Sequence, residues 1–196
     1  MAKQNNDTMR KAFVVGIAGC TQSGKSTFTK DLENVLQNIK IKTFHMDDYH
    51  RPKDKMPLTK APVTKKVYPD FNQPDSTNFP QLRTDMKAAI AENDADVIIV
   101  EGTMMLYDEE ILGLLDLKLY VEARADERAI RYVERYSQVH GHDFIKDSYL
   151  DLVRYRMDEY VEPTKWRADI ILNGSLKSEQ AVEIIKTYML KKQNEE

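Results

Sequence analysis

Residues Gly19, Cys20, Thr21, Gln22, Ser23, Gly24, Lys25 and Ser26, with Thr27 behind them, fit the phosphate-binding spacing G-x-x-x-x-G-K-[ST]. The apolar run 12–18 ahead of them reads as a buried strand. Thr27 to Ile39 behind them reads as a helix, with Phe28, Leu32, Val35, Leu36 and Ile39 along one face. A strand feeding a glycine loop that opens into a helix gathers backbone N–H groups around a polyphosphate, at the positive end of the helix dipole. Lys25 then reaches the β- and γ-phosphates, and the Ser26 hydroxyl is a ligand for Mg²⁺. The pattern predicts binding of a nucleoside triphosphate.

Phosphoryl transfer to a hydroxyl also needs a base for the proton and cations for the developing charge. Asp47, followed by Asp48 and Tyr49, closes the apolar segment 41–46, and Glu101 closes the segment 96–100. Ligands of open α/β sheets sit beyond the carboxyl ends of the strands. Asp47 is therefore expected to face the γ-phosphate, and Glu101 to serve the metal side, directly or through water. Adjacent aspartates are also common in solvated turns, but a phosphate loop on the neighbouring strand favours the catalytic reading. Asp48 is expected to point away, as neighbours in an extended segment do. Arg124, Arg128, Arg131 and Arg135 are spaced to share a helical face. They read either as a solvated helix paired with Asp126, Glu127 and Glu134, or as a lid closing over phosphates.

Alternating strands and helices must hold these groups. Strand signals fall at 12–18, 41–46, 96–102, 117–121 and 168–172, and helical spacing at 27–39, 80–92, 126–136, 147–161 and 178–191. That alternation implies an α/β fold whose parallel sheet is covered on both faces. Residues 50 to 79 carry Pro52, Pro57, Pro62, Pro69 and Pro74 with no sustained period, and read as a long functional or disordered loop. The 196 residues suit one domain over 12–196, with a lid at about 124–146, behind a flexible polar tail at 1–11. A formal net charge of −3 points to neither a nucleic acid nor a membrane surface. No apolar stretch approaches the about 20 residues of a membrane span, and the start of the chain lacks a hydrophobic signal core, so a cytoplasmic protein is expected. The lone Cys20 fits a reducing compartment and reads as a small tolerated loop residue.

Several segments together resemble the uridine kinase group of P-loop nucleoside kinases, which includes the nicotinamide riboside kinases. They are Gly16 to Thr27, Met46-Asp47-Asp48-Tyr49, Pro74-Asp75, Ile99 to Gly102, and Glu162-Pro163-Thr164-Lys165-Trp166-Arg167-Ala168-Asp169-Ile170-Ile171. The resemblance implies a five-stranded parallel sheet sandwiched by helices, in a P-loop NTPase fold of the nucleoside/nucleotide kinase kind. It implies ATP with Mg²⁺ as donor and a nucleoside 5′-hydroxyl as acceptor. It assigns Asp47 as general base, Glu101 to the metal and hydroxyl side, and Arg131 and Arg135 to the lid. Tyr49, Tyr68, Phe71, Asn72 and Asp75 fall to the acceptor side.

The departures concern that acceptor. Asn72 stands where the family has the aspartate that grips ribose hydroxyls, and Asp70 and Asp75 are the candidates to compensate. Between Glu92 and Asp96 there is no room for the hairpin with which uridine kinases hold the pyrimidine. His140-Gly141-His142-Asp143 replaces an Arg-Gly-Arg-Asp lid element. Trp166 is a candidate to pack near adenine. The expectation is phosphorylation of uridine or cytidine, with nicotinamide riboside or another small alcohol as the alternative acceptor. An ATP-binding module without acceptor phosphorylation is the alternative of another class. The missing hairpin favours a monomer or homodimer.

Overall fold

Three aspartates at the amino edge of the sheet fix its register. Asp116 Oδ2 accepts the Val14 N–H at 2.8 Å, Asp169 Oδ2 accepts that of Lys118 at 2.8 Å, and Asp96 Oδ2 accepts that of Lys40 at 3.0 Å. Each stands directly before a strand and receives an N–H from a neighbouring strand or, for Asp96, from the residue that leads into one.

The computed structural model describes residues 12–195; the tail at residues 1–11 lies outside them. In chain order, β1 (Phe13–Ala18), α1 (Lys25–Val35), β2 (Ile41–His45), β3 (Leu58–Lys60) and β4 (Val67–Pro69) are followed by α2 (Phe79–Glu92), β5 (Val97–Glu101) and α3 (Glu109–Leu112). Then come β6 (Leu117–Glu122), α4 (Ala125–His140), α5 (His142–Ser148), α6 (Arg154–Arg156), β7 (Ile170–Asn173) and α7 (Glu179–Glu195). From His142 to Val161 the chain is a continuous helical rod, in which α5 and α6 alternate with π-helical turns at Tyr149–Val153 and Met157–Val161.

The main sheet is five-stranded and parallel, in the order β2-β5-β1-β6-β7. Every residue of β1 and β5 is buried, because helices cover both faces. Alternate residues feed two cores. Val14, Ile98, Val100 and Tyr120 pack with Leu82 and Met86 of α2 and with Tyr149, Val153 and Met157 of the rod. Val15, Ile17, Ile99 and Leu119 pack with Leu32 and Leu36 and with Val182, Ile185 and Met189 of α7.

The structure departs from the periodicity in three places. Residues 50–79 are not a structureless loop: β3 and β4 pair antiparallel, Leu58 opposite Pro69 and Lys60 opposite Val67, with 3-10 turns on either side. Strands of three residues are too short for a period-2 pattern to register. Asp47 and Asp48 lie in a 3-10 turn at Met46–Tyr49 rather than on an extended strand end. Val35, placed by spacing on the inner face of α1, is 37 % exposed, whereas Leu32 is fully buried.

That contrast can be measured. Leu32→Ala should lower unfolding stability by about 2–5 kcal/mol through lost burial and a residual cavity. Val35→Ala should change it by about 0.5 kcal/mol or less. Chemical denaturation of both variants reads the difference.

Candidate functional site

The phosphate loop turns between β1 and α1 by leaving ordinary backbone space. Gly19 and Gly24 have φ of 146° and 102°, and Gln22, which has a side chain, has φ of 61°. The Ser23 N–H donates to the Cys20 carbonyl at 3.1 Å, and the Phe28 N–H to that of Gly24 at 3.0 Å. Gly174, just past β7, presses on the same loop; a Cβ there would collide with the Ser23 carbonyl oxygen. No side chain caps the N-terminus of α1 and no carboxylate lies in its first turn, whereas Asn78 caps α2 and Asp108 caps α3. The free N–H groups and dipole of α1 are thus left to an anion.

Around this loop opens a cleft of about 940 Å³, and the loop side chains Thr21, Gln22, Lys25, Ser26 and Thr27 line it with Gly24. Gly19 and Ser23 sit beneath the loop, Ser23 fully buried. Lys25 is buried and donates to the Cys20 carbonyl at 3.4 Å. Desolvation pushes its ammonium below the ordinary lysine value, with the charges of Glu101 and Asp47 opposing that shift. Glu101, buried at the end of β5, accepts from the Ser26 hydroxyl at 3.4 Å and lies 3.0 Å from His45 Nδ1. A hydroxyl and a carboxylate side by side at a phosphate loop are hard oxygen donors of the kind Mg²⁺ takes alongside substrate phosphates. Among the described residues no group of three His, Cys, Asp or Glu side chains gathers as a self-sufficient metal cage would.

Asp47 opens onto the same cleft. His50, one turn on, places Nε2 3.6 Å from its Oδ1. That imidazole, followed by the charges of Lys25 and Arg135, holds the Asp47 carboxyl below the usual carboxylate range against the opposing effect of burial. Asp48 is exposed and is not among the cleft-lining residues.

The arginines of α4 divide. Arg131 lines the cleft and donates through Nη1 to the carbonyls of Gln22 and Gly174, each at 3.2 Å, tying α4 to the phosphate loop and the end of β7. Arg135 lines the cleft with its charge 5.6 Å over the Tyr136 ring. Arg128 instead turns inward, 5 % exposed, and pairs with Glu162 at 2.8 Å. Shared helical spacing cannot distinguish these fates, since the same face meets the protein at one end and the cleft at the other.

Of the acceptor-side residues, Tyr68, Phe71 and Asn72 line the cleft, joined by His50, Lys53, Phe144 and Leu152. Phe71 meets His50 edge-on at 5.8 Å, and Tyr68 lies 6.2 Å from Phe144. Tyr49 is drawn away from the cleft by its hydroxyl, which donates to Asp85 at 2.9 Å. Asp75 is exposed outside the cleft, where its backbone carbonyl accepts from Arg51 at 2.6 Å. Asp70 is fully buried against Arg156, so neither carboxylate stands in for the one that Asn72 replaces. His140 lines the cleft, and His142 lies outside it beside Asp143. Trp166 is 79 % exposed and away from the cleft, with Lys165 5.3 Å over its ring. The sequence reading misses His50, Lys53 and the turn Asn173–Ser178, all cleft residues. An i,i+3 partner of Asp47 was the available signal for His50.

The Cys20 thiol lies below the loop, 3.5 Å from the Tyr120 hydroxyl and 3.3 Å from Glu162. Burial pushes it up to about 12. Among the described residues no helix is long and apolar enough to cross a membrane.

Residues 84–180 match the family described as Phosphoribulokinase / Uridine kinase. A uridine kinase of Bacillus pumilus is 30 % identical over 196 residues, spanning 90 % of this chain and 93 % of its own. One of Lactobacillus helveticus is 28 % identical, spanning 91 % and 94 %. Among solved structures, a phosphoribulokinase from Rhodobacter spheroides superposes with a TM-score of 0.65 at 14 % identity, over 84 % of this chain and 70 % of its own, a likeness of fold.

A thiol so buried and so weakly acidic should resist alkylation. Native protein at pH 8 should take up iodoacetamide at Cys20 far more slowly than urea-unfolded protein, as mass spectrometry reads directly.

Proposed function

The chain belongs to the phosphoribulokinase / uridine kinase family, and from that premise we propose that it transfers the γ-phosphoryl group of ATP to the 5′-hydroxyl of a nucleoside, with uridine or cytidine as acceptor. One observation carries the reading. A single cleft gathers the phosphate loop, Asp47 and Glu101 from the ends of β1, β2 and β5, then continues between Tyr68, Phe71 and Phe144.

The backbone N–H groups of Gln22 and of Gly24 to Thr27 hold the phosphates, and Lys25 neutralises charge on the transferring group. Asp47 accepts the proton of the acceptor hydroxyl as its oxygen bonds to phosphorus and the bond to the ADP oxygen breaks. Ser26 and Glu101 are the residues that would hold Mg²⁺, Glu101 directly or through water, and a metal there would supply positive charge against the phosphates. Arg131 and Arg135 approach from α4, part of the lid region 124–146, and offset charge as it develops on the equatorial oxygens. Tyr68 and Phe71 offer ring faces to the base, and the Asn72 amide offers hydrogen bonds to ribose hydroxyls. Nicotinamide riboside remains a second acceptor reading for one reason: α2 and β5 are joined by only residues 93–96, with no hairpin over the base.

ADP release should be stimulated by one or more of uridine, cytidine and nicotinamide riboside. ATP binding with no stimulation by any nucleoside would sink the proposal. Asp47→Asn should lower kcat by about 10²–10⁴ with little change in the KM for ATP. Because His50 keeps Asp47 ionised to unusually low pH, the acid limb of kcat/KM should lie below the ordinary carboxylate range. His50→Ala should move that limb upward, and an unmoved limb would remove His50 from this role.

A further inference from the structure

The side chains that line the acceptor half of the cleft are presented by a segment with one buried charge, Asp70. Asp70 is fully buried, and both of its carboxylate oxygens are used. Oδ2 accepts from Arg156 Nε at 2.7 Å, across 86 positions of sequence, and Oδ1 accepts the Asn72 N–H at 3.0 Å. Arg156 Nη2 donates to Thr59 Oγ1 at 3.1 Å, and the Gln73 side-chain amide donates to the same oxygen at 3.2 Å. The Ser76 hydroxyl bonds the carbonyls of Phe71 and Gln73 at 2.9 and 2.6 Å. With its backbone held this way, the segment leaves the Phe71 ring and the Asn72 amide on the cleft wall. The amide side chain of Asn72 makes no hydrogen bond among the described residues, so its capacity is left for a ligand.

We propose that Arg156 is a positioning residue for the acceptor: through Asp70 it sets the Asx turn that presents Phe71 and Asn72. This deepens the proposed function, since it rests on that half of the cleft being the acceptor's. The chemistry favours an ion pair here over a simple apolar clasp. A guanidinium fork fixes direction as well as distance, and a buried carboxylate with an oxygen to spare can lock a neighbouring N–H at the same time. The cleft wall then carries a neutral amide, whose placement depends on a charge pair it does not itself join.

The test uses the full chain with Arg156→Met, Arg156→Lys and Asp70→Asn, assayed with uridine and ATP each varied in turn. Arg156→Met should raise the KM for uridine about tenfold while that for ATP stays within about twofold. Arg156→Lys should fall between, keeping the charge but losing the fork to Thr59. Equal rises in both KM values, or an unchanged KM for uridine, would overturn the proposal. Hydrogen exchange supplies a readout that does not need turnover. In Arg156→Met and Asp70→Asn the amides of residues 58–73 should exchange faster, with those of the phosphate loop unaltered; no local change would overturn the latch itself. Absence of nucleoside-stimulated turnover in the unmodified chain would count against the acceptor assignment and not against the latch.

Discussion

Main-chain N–H groups can hold a polyphosphate only where nothing else occupies them and the chain bends sharply enough to aim them at one point. That demand shapes the end of β1. The loop accepts left-handed backbone at Gln22 as well as at two glycines, and α1 begins without the cap that α2 and α3 possess. A non-glycine residue in that region costs of order 1 kcal/mol or more and persists only where its surroundings insist on it. Here they do: Gly174 bears on the loop from β7, and Arg131 ties the Gln22 carbonyl to the Gly174 carbonyl from α4. Strand, loop and α4 are thereby held to a common origin, from which Asp47 and Glu101 are measured off by the register of β2 and β5, His45 opposite Glu101.

The charged groups sort by whether their partner is protein or solvent. Two buried ions, Arg128 and Asp70, each have a close partner, Glu162 and Arg156, because a buried ion that lost its partner would cost several kcal/mol. Arg135, Lys53 and His140 remain at the cleft, where water or a ligand solvates them, while Arg131 beside them is held by the Gln22 and Gly174 carbonyls.

Much of the donor side was legible in the amino-acid order. The phosphate loop is local in sequence, its flanking strand is a continuous apolar run, its helix has helical spacing that fails only at Val35, and Asp47 and Glu101 end apolar runs. The acceptor side was much less so. Which aspartate faces a ligand and which faces an arginine depends on contacts such as Asp70 with Arg156 and Tyr49 with Asp85, 86 and 36 positions apart. A three-residue strand pair carries no period, and an i, i+3, i+7 row of arginines on α4 does not say where the helix passes from core to cleft. Trp166 shows the converse: a residue whose bulk suggests packing lies almost wholly in solvent.

The helical rod from His142 to Val161 touches both halves of the cleft with consecutive residues. Arg156 reaches Asp70 and Thr59 in the segment 58–73, while Met157 Sδ accepts the Thr21 N–H of the phosphate loop at 3.4 Å. Asp151, one turn earlier, holds the Val63 and Thr64 amides at 3.2 and 2.9 Å. A continuous helix with contacts at two sites couples them to the extent that it moves as one body. Thermodynamic reciprocity then fixes the consequence. By whatever factor a bound nucleotide alters the hold on the second substrate through this helix, the second substrate alters the hold on the nucleotide by the same factor, whichever arrives first.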